Sequence, residues 1–151
     1  MMIKIRYANL DDEQVILNWK NDDLSVLHSQ SKRLVSKKDH KKWFSSQLEI
    51  RPCPILIAQN KEKKIGMIRF DKKSDSYIVS INLNPDFRGR GLGSKMLLEA
   101  EKFFFNHNSK IIAYVDSSNL ASIKLFEKCG YNQFFNNGSL SELAFAKNIF
   151  V

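Results

Sequence analysis

The spacing of apolar residues along the chain predicts which segments are strands. In IKIRYA, the residues Ile3, Ile5 and Tyr7 alternate with polar residues, as expected for a half-buried strand. PILIAQ and KKIGMIRFD are short apolar runs separated by the polar segment NKEK, a pattern that predicts a β-hairpin. SYIVSINLN follows directly and predicts a third strand, so the middle of the chain is expected to form a meander.

Two segments of the first half predict helices. In NLDDEQVILNWKND, Asn9 or Asp11 is the candidate N-cap of a helix with Trp19 as a core residue. VSKKDHKKWFSSQLEI begins with a candidate cap, Ser36, and places Trp43, Phe44 and Leu48 on one helical face. The prolines of the following RPCP segment end this second helix.

The second half of the chain alternates helix and strand patterns. SKMLLEAEKFFFNH predicts a helix with one apolar face, made of Leu92, Met96, Ala100 and Phe103. KIIAYVD predicts a strand, SNLASIKLFEKCGY a helix that ends at Gly130, and the tail two strands around a turn at 137–138. The order β-α-α-β-β-β-α-β-α-β-β predicts one α/β domain over residues 1–151, with a mixed sheet covered by helices.

Composition adds a charge preference and removes several classes of site. A formal net charge of +8 favours either an anionic partner or a lysine-rich solvated surface. The two cysteines, Cys53 and Cys129, lack metal-ligand spacing and are too few for a disulfide framework, so no metal is expected. The chain has neither a signal-peptide pattern nor an apolar run of membrane-spanning length, and this predicts a cytoplasmic protein without a membrane partner.

The segment NPDFRGRGLGSKMLLEAE, residues 84–101, places three glycines and two arginines between an apolar strand and an apolar-striped helix. Glycine loses more conformational freedom on folding than any other residue, so three of them in one bend indicate a need for bare backbone. The first N–H groups of a helix lack partners and carry partial positive charge, and arginine suits phosphate. We predict a pyrophosphate site made of Arg88, Gly89, Arg90, Gly91, Leu92, Gly93 and Ser94; the alternative is a tight turn with surface arginines.

The spacing of these glycines disfavours two well-known phosphate loops. A P-loop needs four residues between its first glycine and a Gly-Lys-Ser/Thr, which this segment lacks. The dinucleotide fingerprint needs G-x-G-x-x-G, whereas the spacing here is G-x-G-x-G after a meander strand.

Two sequence blocks resemble the Gcn5-related N-acetyltransferase (GNAT) superfamily. Arg-x-x-Gly-x-Gly, at Arg88, Gly91 and Gly93, is similar to its acetyl-CoA loop, and Leu83 with Pro85 is similar to the end of its central strand. VDSSNLASIKLFEKCGY resembles the strand–helix segment that follows in that superfamily. The resemblance covers nearly the whole chain and implies a GNAT fold, with a mostly antiparallel sheet, one splayed pair of parallel strands, and helices on both faces.

The resemblance also implies where acetyl-CoA binds. The splayed strands would be Ile78–Leu83 and Ile111–Val115, and the backbone of Ile81 and Leu83 would pair with the pantetheine arm. The Leu83 N–H is the candidate for stabilising the oxyanion. The bend at 88–94 would hold the pyrophosphate. Three further residues are expected along the coenzyme: Asn119 at the pantetheine, and Ser122 and Phe126 beside the thiol.

Proton-transfer groups are left open by the sequence. Many members of the superfamily have a tyrosine as general acid where this chain has Phe126, which has no proton to give. The candidates that remain are Tyr114, Cys129 and Tyr131, or departure of the thiolate unaided. Cys129 has a structural alternative as a buried packing residue. A glutamate position of the superfamily corresponds to Tyr114, and a water ordered by Ser80 and Asn82 is the alternative base.

The N-terminal half predicts the acceptor. Its W-K-N-D and H-x-x-W-F patterns resemble the branch that acetylates nucleotide-linked amino-deoxysugars, as in pseudaminic acid biosynthesis. Asn21, His40, Trp43 and Arg69 are the candidate acceptor residues, although His40 and Trp43 would also serve as core anchors of their helix. The alternatives are a ribosomal-protein-type N-terminal acetyltransferase and a CoA-binding module without turnover. Lysine runs without interleaved aromatics do not support nucleic-acid binding, and a homodimer is possible.

Overall fold

Seven strands form one sheet, and five helices pack around it. The computed structural model describes residues 1–151. The helices are Glu13–Lys20 (α1), Asp23–Leu27 (α2), Lys37–Leu48 (α3), Leu92–Phe104 (α4) and Leu120–Lys128 (α5). The strands are Lys4–Tyr7 (β1), Ile55–Asn60 (β2), Lys63–Lys73 (β3), Ser76–Leu83 (β4), Ser109–Asp116 (β5), Asn132–Phe134 (β6) and Glu142–Ile149 (β7).

The sheet is mixed, and its order is β1-β2-β3-β4-β5-β7-β6. Neighbouring strands run antiparallel everywhere except at β4 and β5, which run parallel. The predicted hairpin between β2 and β3, the meander and the β-α-β crossover at α4 are all present. The predicted α/β fold class is therefore confirmed.

The parallel pair separates after one short contact. β4 and β5 are in register only from Ser76↔Lys110 to Ile78↔Ile112. Beyond Ile78, residues 79–83 of β4 remain paired with β3 alone, while β5 continues along β7 to Asp116. The sheet therefore contains a V-shaped gap that widens toward the carboxyl ends of both strands.

Each face of the sheet carries its own apolar core. Leu92, Met96, Leu97 and Ala100 of α4, with Phe126 of α5, are buried against one face in a cluster of 19 buried residues. On the other face, α1 and α3 bury a smaller cluster that includes Ile16, Trp19 and Phe44. Because side chains alternate along a strand, the even-numbered residues near the end of β4 face α1, and the odd-numbered ones face α4.

Capping residues at three helix ends agree with the sequence patterns. Asn9 caps a short 3-10 turn that leads into α1, and Ser36 accepts a hydrogen bond from the Asp39 N–H at the start of α3. After α5, Gly130 has a φ of +89°, and the N–H of Tyr131 donates to the Phe126 carbonyl over 3.0 Å. This is the Schellman ending that a glycine at this position favours.

Two sequence expectations are wrong in detail. The chain forms an additional short helix, α2, between the two predicted N-terminal helices. Phe103 does not lie on the buried face of α4: it is 43% exposed and packs edge-on against Tyr7, with ring centroids 5.1 Å apart. Its neighbours Phe104 and Phe105 pack on Phe70 instead. None of the helices is long and apolar enough to cross a membrane.

Candidate active site

The edge of β4 that faces the gap offers unpaired main-chain groups. The Asn84 N–H donates to the Ile65 carbonyl of the β3 side over 2.7 Å. Peptide groups alternate direction along an antiparallel strand, so the N–H groups of Leu83 and Ile81 point the other way, into the gap. These are the two residues whose backbone the sequence assigned to pantetheine.

The bend that follows β4 presents a row of free amides. Gly89 and Gly91 have φ values of +75° and +69°, and nothing lies within 4 Å of where a Cβ would stand on either residue. The N–H groups of residues 89–94 donate no hydrogen bond within the protein, and Gly91, the N-cap residue of α4, provides no side-chain cap. The bend and the helix start together form an open cluster of donors of the kind that binds anions.

The two arginines of this bend have different environments. Arg88 donates to Asp22, just before α2, with 2.5 Å between Nη2 and Oδ2, and this ion pair lowers the pKa of Asp22. Arg90 is exposed, and its guanidinium carbon lies 5.2 Å from the centre of the Phe87 ring. Arg88 therefore joins the bend to the acceptor side of the molecule, while Arg90 is free to meet a phosphate. The charge, the amides and the open space all fit a pyrophosphate.

The remaining predicted coenzyme residues lie on α5, across the gap from β4. Asn119 caps α5, and its side-chain oxygen accepts from the Ser122 N–H over 3.2 Å. Phe126 is buried and packs edge-on against Tyr131, with ring centroids 5.1 Å apart. Phe126 is thus a buried core residue rather than an exposed side chain.

Two of the candidate proton carriers are buried on the α4 side of the sheet. The Cys129 thiol donates to the Ser94 carbonyl, and burial raises the pKa of this thiol to about 11. The Tyr131 hydroxyl donates to Glu101 over 2.7 Å, and burial followed by the nearby Glu101 charge raises the pKa of Tyr131 well above its usual value. Glu101 also accepts from Lys147 over 2.6 Å, which completes a polar network inside the core.

Tyr114 lies on the opposite face. It is 42% exposed and points away from its buried neighbours Ala113 and Val115, toward the α1 side of the sheet. Across the gap on that same face stand Ser80 and Asn82 of β4. Tyr114 is therefore the candidate proton carrier that solvent and an acceptor can reach.

A cluster of aromatic and charged side chains covers β3 and β4 near these residues. The Lys20 amine lies 3.2 Å from the centre of the Trp43 ring, and the Arg69 guanidinium carbon lies 5.1 Å from it. Arg69 is paired with Asp71 at 2.7 Å and reaches Ser80 over 3.3 Å. Trp43 and Arg69, both predicted acceptor residues, are thus brought together on one face.

The other two predicted acceptor residues serve internal contacts. His40 is buried, its Nε2 lies 2.8 Å from the Glu13 carbonyl, and burial lowers its pKa. The Asn21 amide both donates to and accepts from the Val35 backbone, over 2.9 and 2.7 Å. His40 thus anchors α3 to α1, and Asn21 holds the segment between α2 and α3; contact of either with an acceptor stays a prediction.

The segment between α2 and α3 crosses the carboxyl end of β5. The Lys32 amine lies 2.9 Å from the Asp116 carboxylate and holds the pKa of Asp116 well below its usual range. Gln30 donates to Glu142 over 3.0 Å, and Asn82 donates to Ser25 of α2 over 3.4 Å. This segment borders the acceptor face on the side of the gap.

Lys20 lies in the W-K-N-D pattern but was not among the site residues predicted from the sequence. It follows Trp19, a core residue of α1, and a lysine at a helix end normally indicates a solvated position. Its neighbours Trp43 and Arg69 come from α3 and β3, so no local pattern could have identified the contact. Asp22, the partner of Arg88, was missed for the same reason.

Comparison with known proteins identifies the family of this chain. Residues 14–131 match the "Acetyltransferase (GNAT) family". The chain belongs to this family. It is accordingly an N-acetyltransferase that takes its acetyl group from acetyl-CoA, and the resemblance inferred from the sequence is confirmed at the level of the superfamily.

Individual relatives agree with this assignment. YwnH of Bacillus subtilis (strain 168), a candidate phosphinothricin acetyltransferase, is 28% identical over 130 residues, which cover 80% of this chain and 78% of YwnH. The structure of the spermidine N-acetyltransferase of Vibrio cholerae in complex with CoA and spermine matches this chain with a TM-score of 0.77 at 17% identity. The match covers 97% of this chain and 95% of the Vibrio cholerae chain. The structure of yncA from Salmonella typhimurium, a candidate acetyltransferase solved with acetyl-CoA, matches with a TM-score of 0.71 at 24% identity. The match covers 98% of this chain and 93% of the yncA chain.

Proposed function

We propose that this GNAT protein acetylates the primary amine of a small molecule that lies on the α1 face of β4, beside the gap. The observation that carries the proposal is two groups of free main-chain donors, one on each side of the internally bonded turn at 84–88. The first group is the N–H groups of Ile81 and Leu83 at the open strand edge, and the second is the free amides of the bend at 89–94.

The roles of the chain's own groups follow from these donors. The amides of residues 89–94, with Arg90, bind the pyrophosphate of acetyl-CoA, and the backbone of Ile81 pairs with the pantetheine arm. The Leu83 N–H donates to the thioester carbonyl oxygen and stabilises negative charge there. Asn119 and Ser122, at the start of α5, line the other wall of the gap.

The groups that transfer protons are assigned by the solvent exposure of their side chains. Acetyl-CoA supplies an activated acetyl thioester, so transfer forms an N–C bond, breaks a C–S bond, removes one proton from the amine and returns one to the thiolate. Ser80 and Asn82 face the acceptor and order the water that removes the first proton. Tyr114 is the reachable donor for the second, whereas Cys129 is buried behind the sheet.

Two acceptor classes are candidates. The motifs of the N-terminal half favour the amino group of a nucleotide-linked amino-deoxysugar, whose diphosphate would suit the positive charge near Arg69. The likeness to YwnH favours an amino acid that resembles phosphinothricin. A cytoplasmic location and a homodimer remain predictions from the sequence.

An acceptor panel monitored by release of free CoA tests the proposal. The panel contains a nucleotide-linked 4-amino sugar, phosphinothricin, spermidine, an aminoglycoside, and a peptide with the N-terminus of a ribosomal protein. We expect turnover with one of the first two and none with the peptide. Tight CoA binding without turnover on any amine would overturn the proposal, and turnover on the peptide alone would replace it with N-terminal protein acetylation.

A further inference from the structure

Lys20 holds a charge that nothing in the protein neutralises. Its amine rests on the face of Trp43 at 3.2 Å and is partly buried. No carboxylate lies within 4.0 Å of it, and it donates no hydrogen bond. The amine is therefore paired with no group of the protein, and its three N–H donors are open to solvent or to a ligand.

The nearest charged neighbour increases the imbalance. Arg69 carries the same sign, and only its Nε side is used by Asp71. Burial first, and Arg69 second, lower the pKa of Lys20 to about 7, while Asp71 acts in the opposite direction. Lys20, Arg69 and Asp71 together therefore carry one uncompensated positive charge when Lys20 is protonated.

The position of this charge relates it to the acetyl-transfer site. Arg69 stands opposite Ser80 in the register of β3 and β4, and its guanidinium reaches the Ser80 hydroxyl. Three residues further along the same strand is Leu83, a distance of about 10 Å at the usual rise per residue. A small molecule with its amine at Leu83 can therefore place a second group at Lys20 and Arg69.

We propose that Lys20 and Arg69 form an anion subsite, and that the acceptor is a primary amine bearing a carboxylate or a phosph(in)ate about 10 Å or less from its amine. This inference rests on the proposed function. Lys20 supplies a point charge and Arg69 a planar fork for two anion oxygens, and both cations contact the Trp43 ring. Polyamines and aminoglycosides, which are cations, are repelled by the same groups.

Matched acceptor pairs measure the effect of the anion. Phosphinothricin and its carboxamide differ in the carboxylate, glutamate and glutamine differ in the distal carboxylate, and a nucleotide-linked 4-amino sugar differs from the free amino sugar in its phosphates. Each pair is compared by kcat/KM with saturating acetyl-CoA. We expect the anionic member of at least one pair to be favoured by roughly tenfold to a hundredfold, the usual range for a hydrogen bond to a charged group. The pair that shows this preference identifies the anionic group that the subsite recognises.

Variants assign this preference to Lys20. Lys20→Met keeps the aliphatic stem and removes the charge, and it should raise KM for the anionic acceptor by about the same factor without lowering kcat for the neutral one. Lys20→Arg should retain the preference. Lys38→Met, an exposed lysine on α3, is the matched control and should change nothing. Binding of the N-acetylated anionic product, measured by calorimetry on the CoA complex, should weaken in Lys20→Met but not in Lys20→Arg or Lys38→Met, and thermal unfolding confirms that each variant is folded.

Three results separate the inference from the function on which it rests. Turnover on neutral amines that equals turnover on their anionic partners overturns the subsite and leaves acetyl transfer intact. A preference that survives in Lys20→Met and in Arg69→Gln also overturns the subsite, as does preferred turnover of spermidine. Failure of the wild-type protein to release CoA with every amine overturns the proposed function itself.

Discussion

The bend at 88–94 and the cluster of Lys20, Trp43 and Arg69 both attract negative charge, but they are built differently. The bend uses main-chain N–H groups of consecutive residues, kept open by glycines with positive φ. The cluster uses side chains from three separate elements, α1, α3 and β3, held together by the smaller apolar core and by two cation–π contacts.

This difference separates what is constant in the family from what varies. A coenzyme that is the same in every reaction can be held by main-chain N–H groups, because every residue except proline supplies one whatever its side chain. An acceptor must be distinguished from other amines, and that requires charges and shapes that only side chains provide. In the proposed function, the bend holds the coenzyme and the cluster selects the acceptor.

Gly91→Asp should have the largest effect of the variants, because it changes the main-chain anion site at 88–94 and leaves the side-chain cluster intact. A carboxylate beside the pyrophosphate costs several kcal/mol, so we expect the Kd for CoA to rise by about 100-fold or more, measured by calorimetry. Gly138→Asp is the control, since Gly138 has a similar φ of +72° with open space around it, and it should leave the Kd unchanged. Retained affinity in Gly91→Asp would refute the role of the bend.

Tyr114→Phe tests the side chain that is the candidate proton donor. Loss of a reachable proton donor should lower kcat by about tenfold while CoA affinity stays the same, as measured by single-turnover CoA release. An unchanged kcat would remove Tyr114 from the mechanism and favour unaided departure of the thiolate.

A change of pH should alter the affinity for the acetylated product by a smaller factor, and it should act through the cluster of Lys20, Trp43 and Arg69 rather than through the bend. Lys20 is protonated below its pKa of about 7 and loses its charge as the pH rises, so the acetylated anionic product should bind several-fold more weakly at about pH 9 than at about pH 6. Arg69 and Asp71 are the other charged groups that face Lys20. The pKa of the nearby His40 is lowered by its burial, away from this pH range. The Lys20→Met variant should show no such step, and a step that persists there must come from another group.

Cys129→Ala should have the smallest effect on activity. The thiol is buried, and its proton is already donated to Ser94, so kcat should stay within about twofold of wild type. A large fall in kcat in a variant that unfolds at the same temperature would return Cys129 to the mechanism.

Local patterns were sufficient for most of the fold. The alternating strands, the hairpin between β2 and β3, the cap at Ser36 and the glycine ending of α5 each depend on residues within a few positions of one another. The errors arose where a distant contact decided the outcome. Phe103 turns outward because Tyr7 of the edge strand receives it, and α2 lies where Asp22 meets Arg88, 66 residues away.

The sequence alone determined that a glycine bend follows an apolar strand and opens a helix, and it therefore predicted an anion site of bare backbone there. Only the tertiary structure decided which side chains face that site. It separated β4 from β5 after Ile78 and buried Cys129 behind the sheet. It also laid Lys20 on Trp43 beside Arg69. The reason is that free backbone donors arise from consecutive residues, whereas a cluster of side chains exists only once distant elements have packed together.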